Sequence, residues 1–214
     1  METEIKYRLR SKTEVDDILD NELISDHTMP DSRATKHLRN TYFDTPLGDL
    51  DSEKAIYRIR EDDDQYIATV KISKSVSDGL HQRQEWSVIQ DDNKPDIIYF
   101  LRQAESDGDP DTALTDLLVS LKDDELEEVC SVEFDRTTVH VGYGDTLIEL
   151  ACDIGYYKSG RLEEEFFEIE LELLEGNVID LREFGDELEK VLDIEPENMS
   201  KYEKSIRLKR SGIK

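Results

Sequence analysis

Residues 2–10 read ETEIKYRLR, and nearly every second side chain in this stretch carries a formal charge. Alternation with a period of two is typical of a β-strand, in which successive side chains point to opposite faces. One face of the predicted strand is charged throughout, and the other is apolar. The charged positions are Glu2, Glu4, Lys6, Arg8 and Arg10, and the apolar positions are Ile5, Tyr7 and Leu9.

Two further segments, 166–173 and 55–60, repeat this pattern with charges of one sign. Their charged positions are Glu168, Glu170 and Glu172, and then Arg58 and Arg60. Acids aligned on one strand face repel one another unless cations lie beside them. These faces could form an exposed sheet surface with cross-strand salt bridges, or they could converge inside a barrel. If they converge inside a barrel, carboxylates suited to Mg²⁺ or Mn²⁺ and basic groups suited to phosphate would together form a metal–polyphosphate site.

The same periodicities along the rest of the chain predict an α+β fold. The predicted strands are 2–10, 55–60, 66–72, 80–88, 129–141, 146–153 and 166–173. Helical spacing of apolar residues predicts four helices: one capped by Thr13 that extends to Leu23, one over 97–102 after Pro95, one after Pro110, and one after Asp180. Seven or eight strands with a few peripheral helices predict an antiparallel sheet or barrel.

The chain is strongly acidic: its 214 residues hold 53 Asp and Glu against 27 Lys and Arg, a formal net charge of −26. Such a charge repels nucleic acid, so bulk nucleic-acid binding is not expected. The longest apolar run, 97–101, is far shorter than the roughly 20 residues of a membrane span, and the first residues do not resemble a signal peptide. We expect one cytoplasmic domain over residues 1–214, with Cys130 and Cys152 as reduced core thiols.

A series of short motifs follows the first strand along almost the whole chain. The motifs are Glu2-x-Glu4-x-Lys6, 41–45 (TYFDT), 57–60 (YRIR), 69–71 (TVK), 82–86 (QRQEW), 134–136 (FDR), 153–155 (DIG), 168–172 (EIELE) and 200–201 (SK). In this order they resemble the CYTH superfamily, also called triphosphate tunnel metalloenzymes. That superfamily includes class IV adenylate cyclases, thiamine triphosphatases and inorganic triphosphatases. Segment 81–86 is most similar to the inorganic triphosphatase branch.

The resemblance implies a fold and a set of site residues. The implied fold is an eight-stranded antiparallel β-barrel with peripheral helices and a charged tunnel. The implied ligands of Mg²⁺ or Mn²⁺ are Glu2, Glu4, Glu85, Asp153, Glu168 and Glu170. The implied triphosphate-binding residues are Lys6, Arg58, Arg60, Lys71, Arg83, Arg136 and Lys201. The implied catalytic residues are Glu2, Glu4 and Lys6. The partner is a small-molecule triphosphate, and the oligomeric state stays open between monomer and homodimer.

The implied reaction is hydrolysis of the terminal phosphoanhydride of inorganic triphosphate or a related triphosphate. A metal-activated water attacks the terminal phosphorus, and Arg and Lys side chains stabilise the developing charge, so no side-chain nucleophile is needed. Two alternatives remain open at this point. One is a class IV adenylate cyclase that makes cyclic AMP and pyrophosphate from ATP. The other is a non-catalytic polyphosphate-binding module.

Two positions depart from the family pattern. Ser87 stands where a third acid often follows the Arg-x-Glu pair, so a metal role for this strand is less supported. Lys204 stands after Ser200-Lys201 where an Arg is common, and it could supply the same charge. The four histidines show no metal-ligand spacing and are expected to be incidental. They are His27, His37, His81 and His140.

Overall fold

The computed structural model describes residues 1–107 and 112–212, and its central feature is a closed antiparallel β-barrel. Eight long strands in this part of the chain form the barrel: β1 (Glu2–Leu9), β2 (Ala34–Asp44), β3 (Ala55–Asp62), β4 (Gln65–Ser77), β5 (Leu80–Gln90), β6 (Glu127–Tyr143), β7 (Thr146–Ser159) and β8 (Leu162–Glu175). Their order is β5-β4-β3-β2-β6-β7-β8-β1, and β1 also pairs with β5, which closes the barrel. A two-residue strand, β9 (Glu195–Pro196), pairs with β1.

Helices lie around the outside of the barrel. Within the same described residues they are α1 (Lys12–Leu19), α2 (Glu22–His27), α3 (Asp49–Ser52), α4 (Ile97–Asp107), α5 (Thr112–Ser120), α6 (Val178–Val191) and α7 (Lys201–Ser211). The hydrophobic cores form where these helices pack against the outer face of the strands. The predicted α+β class, an eight-stranded antiparallel barrel with peripheral helices, is therefore confirmed.

The barrel interior is polar, which is the reverse of an ordinary small barrel. On β1, Tyr7 is buried in a hydrophobic core shared with α1 and α6. Glu4 and Lys6 point the other way, and they are also buried, with only 3% and 4% of their surface exposed. The charged strand faces therefore converge inside the barrel and do not form a solvent-facing sheet surface. Arg8 and Arg10 are exceptions, because their side chains are 58% exposed and lie beyond the inward-facing part of β1.

Seven of the eight barrel strands overlap the segments with period-two alternation, and β2 is the exception. The first half of β2 is mostly exposed, and its second half, 40–44, is buried at every position. Neither half alternates between apolar and polar side chains, so the period-two pattern that predicts a half-buried strand is missing. The motif at 41–45 falls in this second half.

Two of the predicted helix starts are wrong. The N-cap of α1 is Ser11 and not Thr13, and the Ser11 hydroxyl accepts a hydrogen bond from the Glu14 amide. The N-cap of α6 is Asn177, whose side-chain oxygen accepts a hydrogen bond from the Asp180 amide. In both cases a capping residue with extended backbone precedes the predicted start by two or three positions, and its side chain satisfies a free amide of the first turn.

The predicted first helix is in fact two helices. Leu23 lies in α2, because the chain leaves α1 at Asp20 and a new cap forms at Asn21. Pro110, which the spacing places before a third helix, lies outside the described residues. The corresponding helix α5 begins at Thr112.

The two cysteines behave as predicted for core thiols. Cys130 and Cys152 are free and buried, and burial raises the pKa of each to about 12. As for membranes, none of the helices in residues 1–107 and 112–212 is long and apolar enough to cross one.

Candidate functional site

A cavity of about 110 Å³ lies inside the barrel, and most of its walls are charged side chains. Seven strands and the start of α7 contribute to it. The lining residues are Glu2, Glu4, Lys6, Asn40, Tyr42, Ile56, Arg58, Arg60, Lys71, Arg83, Glu85, Arg136, Glu170, Glu172, Ser200, Lys201 and Tyr202. Eleven of the thirteen predicted site residues are therefore brought together here. The other two, Asp153 and Glu168, contact this cavity through Lys201.

The start of α7 delivers one of these cations. The Ser200 hydroxyl accepts a hydrogen bond from the Glu203 amide, and the Glu203 carboxylate accepts one from the Ser200 amide. This capping box fixes the first turn of α7. Lys201, the first residue of the helix, is only 5% exposed, and its ammonium enters the barrel. Lys204, one turn later, lies 3.3 Å from Glu168 and 2.7 Å from Glu197, so it supplies a cation at the same end.

Three buried carboxylates form a triad at one side of the cavity: Asp153, Glu168 and Glu170. One oxygen from each lies within 4.8 Å of the others, close enough to hold a metal ion. In this structure the Lys201 ammonium contacts all three, at 2.8, 2.6 and 2.7 Å respectively. A cation of the protein itself therefore lies where a metal ion held by the triad would lie.

Arg136 completes the pairing of this triad. Its guanidinium donates to both oxygens of Asp153, at 2.7 Å each, and also to Glu170. Burial opposes ionisation of these acids, but Arg136 and Lys201 outweigh it and lower the pKa of Asp153 and Glu170. Lys6 also contacts Glu170. Each carboxylate oxygen of the triad thus has a cationic partner.

A second group of acids, Glu2, Glu4 and Glu172, is less well compensated. One oxygen of Glu2 lies 2.6 Å from Lys71, but its Oε2 is buried and has no hydrogen-bond partner. Glu4 and Glu172 are directly opposite each other in the β1–β8 register. Burial, Glu2 and Glu4 raise the pKa of Glu172 to about 7. We call Glu2, Glu4 and Glu172 the acidic wall.

Glu85 differs from the acidic wall, because a cation holds it. Lys71 lies 2.7 Å from its carboxylate, and the Ser87 hydroxyl donates to it at 3.1 Å. Burial by itself raises the pKa of Glu85, but the opposite effect of Lys71 and Arg58 is larger, so the pKa is lowered to about 2. Ser87, which stands where the family pattern often has an acid, thus contacts the predicted metal ligand without adding charge.

Arg58 and Arg60 form a surplus of positive charge on β3. Arg58 donates to the Thr69 hydroxyl at 3.2 Å, and its buried Nε has no partner. Arg60 donates from Nε to Asn40 at 3.0 Å. Burial, Arg58 and Arg136 lower the pKa of Arg60 to about 9. Neither guanidinium forms an ion pair with any Asp or Glu of the described chain, so we call Arg58 and Arg60 the unpaired arginines.

Sequence reasoning missed several residues of the cavity. Glu172 lies on the acidic face of its strand, so its spacing to Glu170 could have identified it. Asn40 precedes the 41–45 motif and Tyr42 is its second residue, but nothing in the sequence pairs them with β3. Tyr202 packs against Tyr42 with a ring separation of 5.4 Å.

A second cavity of about 330 Å³ shares four residues with the first and has more apolar walls. The shared residues are Ile56, Arg83, Ser200 and Tyr202.

Comparisons with known proteins agree with this architecture. Residues 1–206 match the CYTH domain. An inorganic triphosphatase from Haemophilus influenzae is 33% identical over 153 residues, which cover 71% of this chain and 40% of the relative. The matched part is thus well under half of that relative's length.

Two solved structures resemble the whole barrel. HpAC1 from Hippeastrum, described as a proposed adenylyl cyclase with a dominant triphosphatase activity, has a TM-score of 0.62 and 23% identity, covering 99% of this chain and 96% of that one. A proposed adenylate cyclase from Bacillus halodurans has a TM-score of 0.56 and 20% identity, covering 94% of each chain. At these identities the likeness is one of fold.

A closed antiparallel barrel with opposed acids and bases in its interior is the tunnel type of β-barrel. The chain belongs to the CYTH domain family.

Proposed function

We propose that this protein is a divalent-metal-dependent hydrolase that cleaves the terminal phosphoanhydride of inorganic triphosphate or a related triphosphate. One observation carries the proposal: the unpaired arginines and the incompletely neutralised acidic wall line the same cavity inside the barrel. Buried charges without partners are costly, so such a pair of surfaces suits a ligand that carries both signs. A triphosphate with a bound divalent cation is such a ligand. The relative named inorganic triphosphatase supports the same activity.

The acidic wall supplies the better metal ligands. Glu2 Oε2 is buried, accepts no hydrogen bond from the described residues and lies 3.9 Å from a terminal nitrogen of Arg83, and carboxylate oxygens are the ligands that Mg²⁺ and Mn²⁺ prefer. The residues present therefore fit a divalent cation held by Glu2 and Glu4, with Glu172 as an added ligand. When bound there, such an ion would polarise phosphate oxygens and lower the pKa of a coordinated water.

The triad serves a different purpose in this proposal. A metal ion between Asp153, Glu168 and Glu170 would have to displace the Lys201 ammonium and compete with Arg136. We therefore assign Asp153 and Glu168 to the positioning of Lys201. Glu170 lines the cavity itself and lies two residues from Glu172, on the same strand face, so it can act in either group. Glu85 is proposed to hold Lys71 in place.

The basic residues would bind and orient the substrate. The unpaired arginines present donors without carboxylate partners, and Arg guanidinium groups match phosphate geometry. Lys6, Lys71, Arg83, Arg136 and Lys201 add positive charge around the same cavity. These groups would stabilise the negative charge that spreads over the phosphate oxygens in the transition state.

The reaction then requires no covalent intermediate with the protein. A water oxygen attacks the terminal phosphorus in line, the bond between that phosphorus and the bridging oxygen breaks, and pyrophosphate leaves. The water proton passes to solvent or to a carboxylate of the acidic wall. The products are orthophosphate and pyrophosphate.

The second cavity favours one alternative, a triphosphate that carries an organic group. Its shared wall with the first cavity includes Ile56 and Tyr202, which offer apolar contact to such a group. Thiamine triphosphate would then be hydrolysed. ATP would be either hydrolysed or cyclised, with the ribose 3′-hydroxyl taking the place of water.

The test is ³¹P NMR of the purified protein with Mg²⁺ or Mn²⁺ and with inorganic triphosphate, ATP or thiamine triphosphate. Orthophosphate and pyrophosphate from inorganic triphosphate would support the proposal. Pyrophosphate together with a cyclic phosphodiester signal from ATP would replace it with the cyclase. Binding of triphosphate without any product would indicate a non-catalytic module.

A further inference from the structure

His81 is completely buried in β5, and both of its ring nitrogens make hydrogen bonds. Nδ1 lies 2.6 Å from a terminal nitrogen of Arg83, and Nε2 lies 2.9 Å from the backbone carbonyl oxygen of Glu197. A guanidinium can only donate hydrogen bonds, and a carbonyl can only accept them. Nδ1 is therefore an unprotonated acceptor, and Nε2 carries the proton. His81 is thus neutral, in one defined tautomer.

This contact determines which donor of Arg83 remains available. One terminal nitrogen of Arg83 donates to Glu4 at 2.7 Å, and the other donates to His81. Arg83 lines the cavity and is only 4% exposed, yet no residue in the described part of the chain accepts a hydrogen bond from its Nε. A buried donor without a partner costs free energy unless a ligand satisfies it. Glu4 and His81 hold the plane of the guanidinium from two sides, which leaves the Nε proton for an anion.

The other side of His81 is anchored to the segment that leads into α7. The Glu197 amide donates to the Lys6 carbonyl at 2.8 Å, and the Gly79 amide donates to the Asn198 side chain at 2.8 Å. Gly79 has a φ of +76°, and a Cβ there would lie 2.7 Å from the Lys6 carbonyl oxygen. The segment therefore packs tightly on β1 and β5. The hydrogen bond from Nε2 to Glu197 keeps the imidazole ring from rotating.

We infer that His81 is a positioning residue, which orients Arg83 so that its Nε proton meets a phosphate oxygen of the substrate. The inference rests on the proposed function, because the anion is taken to be the triphosphate of that reaction. His81 acts through Arg83 in this role and not as a metal ligand, so it needs no metal-ligand spacing in the sequence. For the same reason, sequence spacing alone makes this residue look incidental.

Two substitutions separate the two hydrogen bonds of His81. The amide of His81→Asn can place its oxygen near the Nδ1 position, which keeps an acceptor for Arg83 and loses the contact to Glu197. The longer amide of His81→Gln can place its NH₂ near the Nε2 position, which keeps the contact to Glu197 and loses the acceptor for Arg83. We expect His81→Gln to raise KM for inorganic triphosphate about tenfold. We expect His81→Asn to change KM less than about threefold while lowering the melting temperature.

The same two substitutions at His140 are the matched control. His140 is a partly exposed histidine of β6, whose Nε2 lies 3.7 Å from Glu149, away from the cavity. Neither His140→Asn nor His140→Gln should change KM. An equal rise of KM in both His81 variants would show that substitution of His81 impairs binding whichever of its two hydrogen bonds is lost. That result would contradict the inference.

A double-mutant cycle with Arg83→Lys measures the coupling between His81 and Arg83 in their effect on KM. A purely structural role of His81 would give no such coupling. Lysine has no Nε donor of the arginine kind, so there is no guanidinium plane left for His81 to orient. We expect His81→Gln to raise KM in the wild-type background and to have little further effect in the Arg83→Lys background. The same fold-change in both backgrounds would overturn the inference.

The outcomes distinguish this inference from the proposed function. If the wild-type chain hydrolyses triphosphate and the cycle shows no coupling, only the inference fails. If it binds triphosphate without hydrolysis, the proposed function fails, and the cycle is measured on the dissociation constant of inorganic triphosphate by calorimetry. If it neither binds nor hydrolyses triphosphate, both are wrong.

Discussion

The Lys201 ammonium lies 2.6 Å from the Glu168 carboxylate, and both side chains are buried inside the barrel. Lys201 also contacts the two other acids of the triad, so one residue of α7 is the cation that all three carboxylates share. Burial opposes the charged form of Lys201, but Asp153 and Glu168 outweigh it, so the pKa of Lys201 lies well above its usual value. The helix is thereby tied to the strands by charge.

Removal of this cation should destabilise the protein. In Lys201→Met the three carboxylates lose their shared partner, and uncompensated buried charges typically cost about 3–5 kcal/mol of unfolding free energy. Denaturant unfolding followed by circular dichroism would measure the loss. The control is Arg210→Met on the same helix, because Arg210 makes only an exposed pair with Asp51, with a distance of 3.3 Å. A loss no larger than that of the control would contradict the role given to Lys201.

Substitution of an unpaired arginine should affect binding much more than stability. Arg58→Gln removes a donor for phosphate, so KM for triphosphate should rise about tenfold or more. Because Glu85 keeps its 2.7 Å contact with Lys71 and Arg58 itself lies near Arg60, the melting temperature should stay within a few degrees of that of the wild type. Steady-state kinetics and thermal melts would measure both values. Arg39→Gln on β2 is the exposed control, and an unchanged KM in Arg58→Gln would remove this residue from the substrate path.

Loss of an acidic-wall residue should remove turnover and metal dependence together. EDTA should abolish activity, and Mg²⁺ or Mn²⁺ should restore it. Glu4→Gln should lower turnover by orders of magnitude and raise the metal concentration needed for half-maximal activity. Glu164→Gln, an exposed acid on β8, is the control for loss of one negative charge. Full activity of Glu4→Gln at the normal metal concentration would rule out the proposed metal site.

Glu85 should contribute stability that depends on pH. Its pKa is about 2 in the folded chain, below the ordinary value of 4.5, because Lys71 and Arg58 favour its charged form. A lowered pKa gives stability that is present above about pH 4.5 and is lost as the pH falls towards 2. Glu85→Gln should therefore cost about 2–3 kcal/mol near pH 7. The free energies of unfolding of the two proteins should converge as the pH falls from about 4.5 towards 2, and a pH-independent difference would argue against this pairing.

The sequence determines the barrel strands well because charge alternation is a local property. Glu2, Glu4 and Lys6 share one face simply because strand side chains alternate, and the same holds for Glu168 and Glu170. Strand β2 is not predicted because its second half is buried on both faces and therefore lacks the alternation of apolar and polar side chains. The starts of α1 and α6 shift because capping depends on the backbone of one residue, which apolar spacing does not report.

The pairing of charges inside the cavity could not be predicted in the same way. Which acids Lys201 neutralises depends on contacts between residues distant in the chain, and so does the absence of a carboxylate beside Arg58 and Arg60. The sequence therefore yields eleven of the residues that line the cavity but not the division into a paired triad, an acidic wall and unpaired arginines. His81 is a similar case, because its role follows from two hydrogen bonds and not from a motif.

Closure of the barrel by β1 has a consequence for folding. Glu4 faces Glu172 on one side and His81 on the other, so the cavity is complete only when the first strand has joined both β8 and β5. Contacts between segments so distant in the chain form slowly, because a large loop must be ordered before they provide any stabilisation. Strand β1, which precedes the other barrel strands along the chain, therefore completes its pairing only after β8 has formed. A partly folded chain in which β1 is not yet paired would therefore lack the cavity altogether. Recovery of triphosphate binding during refolding should coincide with closure of the barrel.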